Sequence, residues 1–260
     1  MRPLVAVRRA APFDPSFVAK DDHHWPIARA ARFLSAYSDF PPVEALGAVF
    51  AGCDAPVRFV PAPPHRRRGE ALDPGALYDA RIAVDREVPT RARCWHDLMN
   101  ALVWGAFPRA KLALHRRQHA AIRARVGAGA HRAHRAYRLP PTRTPELDAL
   151  ALLDEGGVLV LDGSAPAGSA IIFGHAIHES LALGVVPSVV AAVNLAPPAP
   201  SADLLDAVDR AFASWLGDAA RAALHPKQLR RVRIVAGRAW TAPGDGDAGR
   251  SGMAGPVVLS

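Results

Sequence analysis

The segment Trp95 to Phe107, "WHDLMNALVWGAF", constrains the fold more than any other. Its apolar residues do not keep to one stripe. On a helical wheel Leu98, Met99, Leu102, Val103 and Ala106 occupy faces that a surface helix would give to water. A helix that is apolar nearly all round is covered on most sides, so other elements have to wrap it. Three polar residues interrupt the pattern. His96, Asn100 and Asp97 fall within one arc of about 100°, and Trp104 and Phe107 lie farther along the same arc. A buried polar group without a partner costs roughly 1–3 kcal/mol. Three such costs would consume much of a domain's stability, so partners are required. Plain satisfaction is one reading, with Asp97 favouring the helix start and His96 and Asn100 bonded to a neighbouring loop. The other is a site: His96 as base or metal ligand, Asp97 as its orienter, Asn100 as a substrate donor.

Around this helix the chain alternates short elements with Pro-rich turns. "PPVEALGAVFA" (41–51) predicts a short helix after Pro, and "PVRFVP" (56–61) one short strand. "PGALYDARIA" (74–83) reads as a helix with Asp73 as N-cap. Pro108 ends the 95–107 helix or opens its successor, a basic helix over 109–126, followed by a loop over 127–145. "LDALALLDEGGVLVLDG" (147–163) reads as two strands around the turn "DEGG". "SAIIFGHAIHESLALG" (169–184) predicts a strand running into a helix with Gly174 at the junction, and 187–196 a buried strand. Residues 200–224 form an amphipathic helix with Ser201 as N-cap. This order predicts a single α+β domain over 1–235, with a helix-rich N-terminal half and a small sheet formed mainly by the C-terminal half. Residues 236–260, rich in Gly and Asp, are expected to be a disordered tail.

With 260 residues, half of them hydrophobic, the chain can bury a sizeable core. No secretory signal and no transmembrane span is read, and two cysteines make neither a disulfide framework nor a zinc cluster. A cytoplasmic protein with free thiols and no membrane partner is expected. The net charge is +8, but the basic residues are 29 Arg and only 3 Lys. Such a skew is what codon bias in a GC-rich genome produces, which weakens the inference from charge to a nucleic-acid partner.

"VPTRARCWHDLMNALVWGAFPRAK" resembles the signature of a bacterial family known as domain of unknown function 3025. Pro89, Thr90, Arg91, Trp95, His96, Asp97, Asn100, Trp104, Phe107, Pro108 and Lys111 carry that resemblance. It continues in Asp154, Glu155 and Gly157 of "LLDEGG". It extends to Phe173, Gly174, His175, Ala176 and Glu179 of "IFGHAIHE". The family-like core spans about residues 75–195. The resemblance implies a family and no activity. Cys94 stands where the pattern has a polar residue, which argues against a cysteine nucleophile.

"GHAIHE" is the second chemical feature. On a helix His175 and Glu179 are four residues apart and face the same way, and imidazole with carboxylate suits zinc, iron or manganese. The spacing differs from the two-His zinc-protease helix. The plainer reading has His175 packing at a helix start with His178 and Glu179 in solvent. Asp154 and Glu155 read first as turn residues, yet either would complete a His/carboxylate cluster if it reached His96 or His175. The third feature is a stretch from Leu98 to Pro145 without one acidic residue, which holds Arg109, Lys111 and eight further arginines. "KDDHH" (20–24) reads as exposed. No phosphate-binding Gly loop, dinucleotide fingerprint or Gly-x-Ser-x-Gly elbow occurs.

These features predict a hydrolase-like site, metal-assisted by a divalent ion. His96, Asp97 and Asn100 would be its catalytic set, and His175, Glu179, Asp154 and Glu155 its metal-ligand set. The alternative is a non-enzymatic module that binds nucleic acid or another polyanion through the basic 109–143 segment. In either case Arg91, Arg109 and Lys111 would be the anion-binding positions.

Overall fold

In the computed structural model the apolar helix lies at the centre. The structure describes residues 11–63, 77–126, 143–161, 170–187, 190–196, 198, 201–218 and 224–231. Helix α1 (Trp25–Ala31) and a 3-10 segment (Val43–Phe50) cover one side of helix α2 (Trp95–Ala106). Leu98, Met99, Ala101, Leu102, Val103 and Trp104 of α2 are all buried. Gly105 lets these elements close up. A Cβ there would stand 2.6 Å from the Val49 carbonyl oxygen and 2.8 Å from the Ala30 Cβ.

Phe107 breaks the helical path, and Pro108 opens helix α3 (Pro108–Val126) at the position where its missing N–H costs nothing. The amides that remain unpaired at this start are met from another helix. Asp209 accepts the backbone N–H of Arg109 at 3.1 Å and of Ala110 at 2.8 Å. Asp209 belongs to helix α6 (Leu204–Gly217), which packs along α3. That helix begins later than the sequence suggests. Its N-cap is Asp203, which accepts the Asp206 N–H at 3.0 Å, and not Ser201, whose hydroxyl accepts the Asp203 N–H.

Residues 147–156, expected as the first strand of a hairpin, are helical instead. Helix α4 (Pro145–Gly156) is capped by Thr144, whose hydroxyl accepts the Leu147 N–H, with Pro145 in its first turn. Leu147, Leu150 and Leu153 make its buried stripe, and "DEGG" is the helix end. Strand β3 (Gly157–Leu161) follows without a loop.

Strands β1 (Arg58–Pro61) and β2 (Glu87–Thr90) pair in parallel, Arg58 opposite Glu87. A short helical turn, Tyr78–Ala80, runs into a π-helical turn, Arg81–Asp85, just before β2. The main sheet has the order β4-β3-β5-β6, with β4 (Ala170–Ile172), β5 (Ala191–Leu195) and β6 (Arg230–Arg231). Strands β3 and β5 are parallel, and the outer pairs are antiparallel. One face, with Leu159 and Ile171, joins the main core. The other face, with Val158, Ile172 and Ala192, packs on Ile177 of helix α5 (His175–Ala182). This is an α+β fold in which the four-stranded sheet comes wholly from the C-terminal half.

Two expectations fall outside the described residues: the Asp73 cap and the 236–260 tail. So does most of the 127–145 loop. The "KDDHH" segment is not uniformly exposed. Asp21 caps the 3-10 turn Asp22–His24, and His24 is fully buried.

Candidate functional site: a histidine and carboxylate cluster

Three junctions meet at one place: the β2–α2 turn, the end of α4 and the β4–α5 step. The first is tied by Asp97, which accepts the Arg91 backbone N–H at 2.6 Å and the guanidinium Nη2 at 2.6 Å. Asp97 therefore holds the helix start against the strand before it. Cys94, the N-cap position, makes no side-chain cap. Burial pushes its thiol pKa up, which keeps it protonated and a poor nucleophile.

The other two junctions touch through glycine. Both Phe173 and Gly174 donate their backbone N–H to the Gly157 carbonyl at 2.9 Å. A Cβ on Gly174 would lie 2.5 Å from the Glu155 carbonyl oxygen and 2.5 Å from the Gly157 nitrogen. Only a residue without a side chain allows this approach. It delivers His175, the first residue of α5, to Asp154 and Glu155 in the last turn of α4.

His96 projects from the first turn of α2 into this meeting point. Its Nε2 is 3.0 Å from His175 Nε2 and 3.8 Å from Glu155 Oε1. His175 Nε2 is 3.6 Å from Glu155 Oε2. One ligand-type atom from each of His96, Glu155 and His175 lies within 4.8 Å of the others. The second nitrogen of each ring faces a carboxylate. His96 Nδ1 is 3.0 Å from Glu179 Oε2, and His175 Nδ1 is 3.8 Å from Asp154 Oδ1. The Glu179 hydrogen bond holds the His96 proton on Nδ1 and leaves its Nε2 lone pair toward the shared point, whereas His175 Nδ1 feels the Asp154 charge at 3.8 Å without a hydrogen bond. Ligand atoms about 2.0–2.2 Å from one metal ion lie roughly 3–3.5 Å apart, close to these separations.

The two rings differ in basicity. Burial opposes a charge on His96, but the Glu179 hydrogen bond and the Glu155 carboxylate outweigh it and raise its pKa. Burial drives the His175 pKa well down, assisted by Lys111 and His96, against the pull of Asp154. Without metal, the pair therefore keeps its proton on His96.

Behind the cluster runs a polar chain. Lys111 is wholly buried; its ammonium donates to Asp154 and, at 2.7 Å, to Asn100 Oδ1. It also lies 5.6 Å from the Trp104 ring centroid. Asn100 Nδ2 donates to the Tyr78 hydroxyl at 2.9 Å. Burial opposes ionisation of Asp154, yet Lys111 and His175 hold it well below the usual carboxylate range. A cavity of about 400 Å³ opens in front, lined by His96, Asp97, Asn100, Asp154, Glu155 and His175 from the expected set. Arg91, expected as an anion-binding position, also lines it, with Tyr78, Arg81, Ala62, Pro63 and Pro89.

Three expected positions sit elsewhere, and Asp154, paired with Lys111, lines the cavity but stands outside the three-residue cluster. Glu179, fully buried, backs His96 from the side away from Glu155 and is not within the three-residue cluster. Arg109 lies outside this cavity and pairs with Asp206 and Asp209. Lys111 is an interior cation, so it adds nothing to a surface field. Sequence reasoning passed over Tyr78 and the burial of Lys111. The signal for Lys111 was present: Phe107, Ala110, Lys111, Leu114, His115 and Gln118 form one buried stripe at helical spacing.

The fold and cluster define an α+β protein with a His/carboxylate centre beside an open cavity. Residues 67–171 match the model of the family described as Protein of unknown function (DUF3025). The match contains His96, Asn100, Lys111, Asp154 and Glu155 and ends before His175. No curated protein and no solved structure matches the chain. Among the described residues, no helix is long and apolar enough to cross a membrane.

Proposed function

We propose that His96, His175 and Glu155 hold a divalent transition metal and that the cavity beside it is the site of a metal-assisted hydrolysis. The observation that carries this reading is the convergence of the two Nε2 atoms and the Glu155 carboxylate, with Glu179 hydrogen-bonded behind His96. Two imidazoles and one carboxylate leave further coordination positions open, and that is the arrangement of catalytic and not of structural zinc sites. The open side faces the cavity. A metal there lowers the pKa of bound water toward neutrality. A carboxylate that holds a metal through one oxygen keeps the other free to take the water proton, and Glu155, 44% exposed at its side chain, would act in this way. Asp154 is a poor base because its ion pair with Lys111 keeps it unprotonated and engaged.

Metal uptake displaces the proton shared by His96 and His175, so affinity falls as pH drops. The reading is tested with 4-nitrophenyl acetate and bis(4-nitrophenyl) phosphate on full-length protein loaded with zinc, manganese or ferrous iron. Hydrolysis that stops on chelation and in His96→Ala is expected. A rate indifferent to both would contradict it.

A further inference from the structure

The cavity wall holds a hydroxyl hydrogen that no described residue accepts. The Lys111 ammonium has no lone pair and can only donate, so the atom it meets at 2.7 Å is the Asn100 carbonyl oxygen. That leaves the Asn100 amide nitrogen, a donor only, against the Tyr78 hydroxyl at 2.9 Å. The Tyr78 oxygen is therefore an acceptor in this contact. Its single hydrogen points elsewhere, and no described residue accepts it in a hydrogen bond. A phenol ionises at about pH 10, and the Asp154 carboxylate pushes Tyr78 higher, so the hydrogen stays in place near neutral pH. The ring is held edge-on against His115, with centroids 5.6 Å apart, and His115 is itself held by Asp79 at 2.9 Å. Tyr78 lines the same cavity as His96, Glu155 and His175.

Resting on the metal-site reading above, we propose that the Tyr78 hydroxyl is an oxyanion-binding donor and that the substrate is a carboxylic acid derivative, an ester or amide. In the reaction the water oxygen bonds to the carbonyl carbon, and the carbonyl π pair moves onto its oxygen. The water proton leaves to Glu155. The oxyanion is met by the Tyr78 O–H, whose hydrogen is left free because the chain from Lys111 makes its oxygen accept from Asn100. Collapse reforms the carbonyl and breaks the bond to the alcohol or amine, which takes that proton back from Glu155 as it leaves. The acyl class is favoured over the phosphoryl class by charge. A phosphoryl group wants several spare cations. The described cations here are instead already engaged by carboxylates: Arg81 by Glu87, which it shares with Arg58, Arg91 by Asp97, and the buried Lys111 behind the wall by Asp154.

The test is calorimetric titration of acetate, with inorganic phosphate as a second arm, into full-length protein, both zinc-loaded and metal-free. Tyr78→Phe removes one oxygen and keeps the ring. Acetate is expected to bind the wild type roughly tenfold more tightly than Tyr78→Phe, as for a hydrogen bond to a charged group, with zinc uptake equal in the two proteins. Equal acetate affinity in the two proteins, or no acetate binding by the wild type, would overturn the assignment. Phosphate bound more tightly than acetate, with the same loss in Tyr78→Phe, would overturn the acyl class. Absent zinc uptake by the wild type would instead overturn the metal site, and the Tyr78 comparison is then read in metal-free protein.

Discussion

Among the described residues two pairs of histidines are in ring-to-ring contact, one partly and one wholly buried, and helix α5 supplies one ring to each. His96 and His175 meet through Nε2 atoms 3.0 Å apart. His24 and His178 meet through Nδ1 atoms 3.1 Å apart, with stacked rings whose centroids are 5.3 Å apart. Residue type and distance hardly separate the two. Their surroundings do. The first pair has Glu179, Asp154 and Glu155 around it and opens on a cavity. In the second pair both residues are fully buried, Phe17 stands edge-on to His24, and both Nε2 atoms lack a hydrogen-bond partner. Burial lowers the His24 pKa to about 4 and that of His178 well below its ordinary value. One pair is therefore built to hold a positive charge and the other to stay neutral. Carboxylates and an opening, not paired imidazoles, make the candidate site.

That contrast can be broken at either pair. The largest effect is expected from His96→Ala, which should weaken zinc affinity about 1000-fold or more by removing a ligand. The double variant His24→Leu with His178→Leu should leave zinc affinity unchanged. It removes both members of an unsatisfied polar pair, so its stability near pH 7.5 should also stay within about 1 kcal/mol of wild type. Equilibrium dialysis and urea denaturation check both outcomes.

The acid response sharpens the comparison next. His24 is neutral in the folded protein down to about pH 4, whereas an unfolded histidine protonates near 6.5. The unfolded chain therefore binds more protons between these values, and stability falls as pH drops from about 6.5 to about 4, by on the order of 3 kcal/mol for this group. His96 has the opposite sign. Its raised pKa means a contribution present below the unfolded value of about 6.5 and lost as pH rises through the folded one. NMR titration of the metal-free protein should show His96 titrating above 6.5 and His24 far below it. A shared midpoint would erase the distinction drawn here.

Two smaller effects concern how the first pair is held. Gly174→Ala puts a methyl group into the backbone of the α4–β3 junction and should destabilise the fold by about 1–3 kcal/mol, measured by urea denaturation. Glu179→Gln keeps an acceptor for His96 Nδ1–H but removes its charge. It should lower zinc affinity roughly tenfold while the protein stays folded.

The sequence made helix α2 and its polar arc legible because an all-round apolar pattern has few other solutions. His96, Asp97 and Asn100 do line one cavity. The strand-to-helix step at Gly174 was legible for a similar reason: a β-branched run gives way to a helical spacing at a glycine. Residues 147–156 were misread because their apolar run continues into β3 and hides the point where the period changes from helical to extended. The Thr144–Pro145–Glu146 start was the better guide. That misreading made Glu155 look like a turn residue, although the last turn of a helix is what aims it at His175. The contact between His96 and His175, 79 residues apart, depends on the packing of α2 against α5 and has no local signature. Nor does the chain from Lys111 to Tyr78, since a buried lysine and a surface lysine look alike until the helix stripe is drawn.

The most direct measurement is a calorimetric zinc titration of metal-free full-length protein, run beside His96→Ala and the His24→Leu/His178→Leu double variant. The account predicts a single ion per chain in the wild type and in the double variant, and none in His96→Ala. No uptake by the wild type, or uptake that His96→Ala leaves unchanged, would contradict it.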